Sequence, residues 1–432
     1  MNIALVLEHF DPARGGLEQW TVRLAEGLLA RGHRLDVVAR SVGHQQRALP
    51  ARLSLLPHTH SGPSFAAAAQ QRLLQLNPDV IHDMGAGWFC DVLQPHTGSR
   101  WAMQEQKVAM LPPLLRPWKR AADRLLPRWH RWNQLLRHQL IDDGRLLIAI
   151  SQRVADDLHH RHHVPRHRLR LVHNGVDTRR FSPAGRDQWR ASTRRALGLS
   201  DNDLLALIVT HNFQLKGVPS LLDALGRQLT HQPTDRRPNT SGQQSAPVVK
   251  LAVVGGKSLG PWQRRIARRG LADRVRFVGP VTDPRPFYAA ADFYVHPTFY
   301  DACSLVVLEA LACGLPVVTT RQNGVSELIT DGLEGYLLDR AGDHLALSER
   351  LQWLGDQSRR TAMGVAARRL AEQHTFERNI DRIVVVYEEI HGRRQAMGAR
   401  DRGVPISGSS AGSGRQGRPR SVDRHSNNRG VA

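Results

Sequence analysis

Apolar residues follow two rhythms over the first forty positions. Residues 3–7 (Ile3, Ala4, Leu5, Val6, Leu7) form an unbroken apolar run, as a strand buried on both faces of a parallel sheet requires. Residues 10–16 carry Pro12, Gly15 and Gly16 and read as a loop. Over 17–31, Trp20, Leu24, Gly27 and Leu28 recur at helical spacing, Gly32 stops the helix, and 35–39 is the next strand. This is a βαβ unit. Apolar runs at 80–81 and 146–150 predict further strands. A second series begins near 204, with strands expected at 205–209, 251–254, 275–278, 293–296 and 316–319. Pro219 fits the first turn of a helix there. The pattern predicts an α/β fold of two doubly wound domains facing each other, spanning 1–185 and 198–375. A linker is expected at 183–192. Residues 376–391 are expected to form a helix packing back on the first domain.

Three regions break the pattern. Residues 231–247 are polar and rich in Pro, Ser, Thr and Gln, which predicts an exposed insertion. Residues 392–432 are Gly, Ser and Arg with almost no large apolar side chain, which predicts a disordered tail. Residues 101–140 interleave Trp101, Trp118, Trp129 and Trp132 with Arg and Lys. On a helix, Leu115, Trp118, Leu125, Trp129 and Leu136 share one face, and Arg116, Arg120, Arg124 and Arg128 the other. Pro117 and Pro127 should divide this segment into shorter helices. Such a face suits either packing on the first domain or an anionic membrane surface.

The length of 432 residues accommodates two domains, and a hydrophobic fraction of 41% can build their cores. Lys and Arg total 60 against 39 acids, a net charge of +21, which calls for a polyanionic partner. The tail contributes nine Arg against Asp401 and Asp423. Cys90, Cys303 and Cys313 have no metal-ligand spacing and suit a reducing compartment. The N-terminus has no signal-peptide pattern and no apolar run is long enough to span a bilayer, so a soluble or peripheral protein is expected, cytoplasmic if the reducing compartment is the cytosol.

The densest chemical signal is 296–318. A strand enters a loop holding Asp301, Ser304 is placed to cap the next helix, and Glu309 follows on that helix. The amides of Leu305 and Val306 would then be free at a helix N-terminus, where an anion binds. Two carboxylates flanking an anion site suit an extended ligand with a diphosphate at its centre and hydroxyls at both ends.

This stretch resembles the retaining glycosyltransferases of family 4, which have the GT-B fold. Asp301 and Glu309 match the spacing of the family's two acids, and Glu309 to Val318 match its Glu-Ala and Gly-x-Pro-Val-Val segment. The resemblance extends over 1–391. Gly15-Gly16-Leu17-Glu18 resembles its glycine loop. Thr210 to Gly217 resembles the diphosphate loop, with Lys216 matched and His211 near the place of the usual Arg. Gly324 to Ile329 resembles its Gly-x-x-Glu segment. Asn174-Gly175-Val176-Asp177, with Phe181, resembles its segment before the linker, where Asn174-Gly175 reads as a turn.

The resemblance implies that Asp301 holds the donor sugar, Glu309 the ribose, and Lys216 the diphosphate, aided by His211, Gly15, Gly16, Ser304, Leu305 and Val306. His96 and Glu327 would lie near the donor. It further implies no cofactor and no metal. Asp301 stands where the family has Glu, and Ala302-Cys303-Ser304 where it has Gly-Phe-Gly, so the donor-sugar end departs from the pattern. Within the family, the chain is most similar to lipopolysaccharide core glucosyltransferases. The expected partners are therefore a nucleotide sugar such as UDP-glucose, a lipid-linked saccharide and an anionic membrane reached through 101–140. A mannosyltransferase using GDP-mannose is the alternative within this class. A nucleic-acid-binding protein would explain the charge but leave the paired acids and the double α/β pattern without a purpose.

Overall fold

The computed structural model describes residues 1–98, 100–200, 202–230 and 248–397. The predicted insertion at 231–247 and positions 398–432 of the predicted tail lie outside them. The strands are β1 (Asn2–Val6), β2 (His9–Phe10), β3 (Arg34–Ala39), β4 (Ser41–Val42), β5 (Arg52–Leu55), β6 (Val80–Asp83), β7 (Val92–Leu93), β8 (Leu146–Ala149) and β9 (Leu169–Leu171) in the first half. The second half contains β10 (Leu204–Val209), β11 (Val249–Val254), β12 (Val275–Gly279), β13 (Phe293–His296), β14 (Val317–Thr320) and β15 (Gly335–Leu338). The first sheet runs β5-β3-β1-β6-β7-β8-β9 and the second β12-β11-β10-β13-β14-β15. Every pairing within them is parallel. Strand order reverses beside β1 and beside β10, so each half is doubly wound, with its ligand crevice expected at the carboxyl ends of those central strands.

The unbroken apolar runs follow from burial on both faces. Ile3 and Leu5 of β1 enter one core cluster, Ala4 and Val6 another. Likewise Leu205 and Leu207 of β10 point one way, Leu204, Ala206 and Ile208 the other. The first of these clusters continues across the seam between the halves, joining Trp20 and Leu24 to Leu308 and Tyr288.

After the second half the chain crosses back, and Phe376–Met397 is one helix. At the crossing, Val176 N donates to His374 O (3.0 Å) and Phe376 N to Val176 O (3.0 Å). A Cβ on Gly175 would stand 2.5 Å from Thr375 O, so this glycine permits a close backbone approach. No turn forms at Asn174-Gly175, and Val176 pairs with Thr375, which corrects the reading of Asn174-Gly175 as a turn. Further along, the helix meets the first half through Ile380 against Gly27 and through Tyr387 Oη, 2.6 Å from His82 Nδ1. Positions 392–397 continue this helix instead of opening the tail.

The expected linker at 183–192 is also ordered. It forms a short turn (Pro183–Gly185) and the start of a helix (Arg186–Ala196). Arg186, Arg190 and Arg194 recur at every fourth position and converge on Asp292, whose side chain is 8% exposed, at 3.8, 2.6 and 3.1 Å. Charge density here marks an internal ion-pair stripe that composition alone resembles a tether.

Segment 101–140 divides into helices Arg100–Ala109, Arg116–Leu125 and Pro127–Gln139, with Pro117 and Pro127 in the first turns of the last two. The single apolar face expected from the sequence is split by the extended Leu126. Before it, Leu114, Leu115, Trp118 and Leu125 are 86%, 53%, 77% and 81% exposed, while Asp123 turns inward to Lys119 and Gln104. After it, Leu135 is buried, and Trp132 and Leu136 are half-buried.

Candidate functional site

The second half presents its chemistry at the carboxyl ends of β10 and β13. The loop after β10 turns on Asn212, whose Oδ1 accepts from Leu215 N (3.1 Å) and whose carbonyl accepts from Lys216 N (3.0 Å). Gly217 closes the turn at φ +78°, with Pro297 O only 2.0 Å from where a Cβ would stand. This delivers Lys216 to the neighbouring loop. Its Nζ donates to Asp301 Oδ2 at 2.6 Å and to Tyr300 O at 3.1 Å. His296, stacked on Tyr294, places Nε2 3.3 Å from the same carboxylate oxygen. Burial works to raise the Asp301 carboxyl, but the Lys216 ammonium and His296 outweigh it and hold the group well below the usual carboxylate range. His296 itself is held below the usual imidazole range by burial, so it donates to Asp301 as a neutral ring.

Helix Leu305–Ala312 starts directly after Ser304. Ser304 occupies the cap position without a side-chain cap bond, which corrects its expected role. Its amide instead lies 3.3 Å from Asn323 Oδ1. Leu305 and Val306 are in the first turn, where amides have no intrahelical acceptor. Across the seam, Gly16 begins helix Gly16–Ala30, and a Cβ on it would lie 3.4 Å from Leu305 Cδ1. The glycine loop therefore meets the amide-bearing turn.

Residues 301–304 are not helical, so the two acids are not spaced along one axis as the motif suggests. Glu309 is buried and accepts from Tyr288 Oη at 2.9 Å. Burial pushes its carboxyl up to about 7, with Arg180 and Arg23 opposing. The cavity it shares with Arg23, Phe181 and Phe376 is about 30 Å³, the room of roughly one water.

His96 packs on Trp20 with ring centroids 4.2 Å apart, and its Nε2 has no hydrogen-bond partner in the described protein. Burial pushes it down to about 3, leaving it neutral. It is not joined to the Lys216–Asp301 pair by any described contact, but Gly98, two residues on, abuts Tyr300 and Ala302. His211 is exposed in its loop.

Glu327 makes its contacts across the seam. Its oxygens accept from Gln152 N (2.7 Å) and Arg153 N (3.4 Å) and contact His173 Nε2. It thus holds the N-terminus of helix Gln152–His162 from the opposite half, and both oxygens are occupied away from Asp301. Two more groups of the first half reach the acidic loop: Ser151 Oγ donates to Ala302 O (2.7 Å) and Asn174 Nδ2 to Cys303 O (3.0 Å). Sequence reading missed Ser151 and Tyr288, which are recruited by tertiary approach, and also His296. Only His296, inside the quoted stretch, carried a usable signal. One Asp-x-Asp spacing, a metal-binding pattern, does occur at Asp201-Asn202-Asp203. Asp203 is paired with Lys250 (3.1 Å) just before β10, at the opposite end of that strand from Lys216.

Two family models match the chain in order. The one described as Glycosyltransferase Family 4 matches residues 14–180, and the one described as Glycosyl transferases group 1 matches residues 205–357. The chain is a glycosyltransferase of this two-domain type. The D-inositol 3-phosphate glycosyltransferase of Jonesia denitrificans is 26% identical to it over 428 residues, covering 90% of this chain and 96% of the relative. Among solved structures, WaaG, a glycosyltransferase involved in lipopolysaccharide biosynthesis, superposes with a TM-score of 0.72 at 22% identity, covering 89% and 99% of the two chains. Anabaena HepE in complex with UDP-glucose does so with 0.62 at 19% identity, covering 92% and 100%. The glycosyltransferase thus shares the GT-B fold of these proteins. Its sequence relative bears the name of an inositol phosphate enzyme, unlike the lipopolysaccharide core enzymes expected from the motifs.

Proposed function

We propose that this glycosyltransferase moves a hexose, glucose from UDP-glucose, to a lipid-linked saccharide with retention of configuration. The observation carrying the donor half is the ion pair of Lys216 and Asp301 beside the amides of Leu305 and Val306, faced by the Gly15-Gly16 loop. Breaking the sugar–phosphate bond leaves negative charge on the diphosphate and positive charge on the sugar. Lys216 and the helix amides stabilise the first, and Asp301, kept ionised by Lys216, orients the sugar hydroxyls. The acceptor oxygen bonds to the anomeric carbon as the bond to the diphosphate breaks, and its proton passes to a leaving phosphate oxygen. Glu309 takes the ribose hydroxyls once the seam around its small cavity parts. UDP as the nucleotide is supported by the HepE complex.

The exposed Leu114, Trp118 and Leu125, flanked by Arg120 and Arg124, support docking on an anionic membrane at the cytoplasmic face. Among the described residues no helix is long and apolar enough to cross a membrane. A second reading, transfer to an inositol phosphate, is favoured by the name of the Jonesia relative. A panel of nucleotide sugars tested for thermal stabilisation and for release of the nucleotide decides the donor. UDP-glucose is expected to lead, and a lead by GDP-mannose would replace it with the mannosyltransferase alternative.

A further inference from the structure

The first half has its own crevice, of about 230 Å³, at the carboxyl ends of β1 and β6. Strand order reverses between these strands, which is where open parallel sheets bind ligands. The cleft adjoins the donor site, because Leu17 and Gly98 on its wall follow Gly16 at Leu305 and abut Tyr300, respectively. Leu7, Leu93 and Leu158 line it with apolar surface, and Trp132 and Leu136 approach from helix Pro127–Gln139.

Its polar lining is distinctive for a chain of net charge +21: Glu8, Glu18, His9, His162, Thr97 and Gln139, with no Lys or Arg. Burial holds His9 and His162 below the usual imidazole range, so neither is a reliable cation at neutral pH. Arg40 is engaged by Glu8 (3.5 Å) and by Thr59 O (2.9 Å). Arg14 sits exposed in the glycine loop, outside the lining. Arg14 acts electrostatically on His9 and Glu18, and Arg40 on His9, but neither lines the cleft, so the surface a phosphate would touch offers two carboxylates and no Lys or Arg. A ring with hydroxyls on its edge and an apolar face suits the carboxylates, the amide and the indole.

Resting on the glycosyltransferase reading, we propose that this cleft receives the terminal group of the acceptor and that this group is an uncharged polyhydroxylated ring, with its hydroxyls on Glu8 and Glu18 and its apolar face on Trp132. The chain is thereby distinguished from an enzyme whose acceptor ring carries a phosphate.

Ligand-observed NMR at saturating UDP tests this with matched pairs: glucose against glucose 6-phosphate, and inositol against D-inositol 3-phosphate. The uncharged member of a pair is expected to bind at least about tenfold more tightly, Glu18→Gln to weaken it at least about fivefold, and Glu18→Lys to turn the preference towards the phosphate. UDP affinity should change less than about twofold in Glu18→Gln. Equal or tighter binding of the phosphorylated members by the wild-type chain, or no binding of either uncharged probe, overturns the proposal, and loss of phosphate binding in Arg14→Ala would then identify the cation responsible. Uncharged-ring binding by a chain that binds no UDP supports the cleft and removes the donor reading alone.

Discussion

Asp301 and Glu309 look equivalent as a spaced pair, but their surroundings separate them. Asp301 is held ionised by Lys216, whereas Glu309 is buried beside Tyr288 with a carboxyl near 7. A ribose hydroxyl donates best to a carboxylate, so UDP affinity should rise as pH increases through about 7 and level off above it. Titration calorimetry from pH 6 to 8.5 checks this, and Glu309→Gln should flatten the profile. The sign for folding is opposite. With its native carboxyl raised, Glu309 favours the folded state at low pH and that contribution is lost as pH rises towards 7. For Asp301→Ala, nucleotide release should fall by about 10²-fold or more while UDP affinity changes little, since a group acting at the developing charge affects turnover before binding. A steady-state assay with UDP-glucose, paired with a UDP titration, would count against this role if turnover were unchanged.

At the scale of elements, the central strands were legible because two-sided burial leaves an unbroken apolar run, as in Ile3 to Val6 and Leu204 to Val209. The Leu305–Ala312 helix was legible from the strand–loop–helix order around Asp301. What misled was composition without partners. The Arg186–Arg190–Arg194 stripe reads as a tether until Asp292 is placed beneath it, and Glu327 reads as a ligand group until Gln152 and His173 reach it. Glu327→Ala should therefore lower the unfolding free energy by about 1–2 kcal/mol, the cost of losing a helix-end acceptor, leaving UDP affinity nearly unchanged. Denaturant unfolding and calorimetry together check it; a large loss of UDP affinity at unchanged stability would return Glu327 to the donor. In segment 101–140, the exposed Trp118 and Leu125 predict that Trp118→Glu with Leu125→Glu abolishes sedimentation with anionic vesicles without altering the melting temperature.

For the molecule as a whole, the two doubly wound halves were readable from strand rhythm, while the seam was not. Contacts such as Ser151 to Ala302 and Asn174 to Cys303 join positions more than a hundred residues apart, and no local pattern encodes them. They make the acidic loop a joint product of both halves, so the proposed donor site at its Asp301 and Leu305 ends depends on both. The charge of +21 also divides by place: the proposed donor site uses cationic Lys216 and helix amides, whereas the proposed acceptor cleft is lined without Lys or Arg. Lys216 and Glu309 are proposed to grip the two ends of one nucleotide diphosphate. Calorimetric titration of UDP into the wild type, Lys216→Ala and Glu309→Ala at pH 8 tests it directly. Measurable binding is expected of the wild type with a loss of at least about tenfold in each variant, whereas equal affinity in all three would overturn this grip.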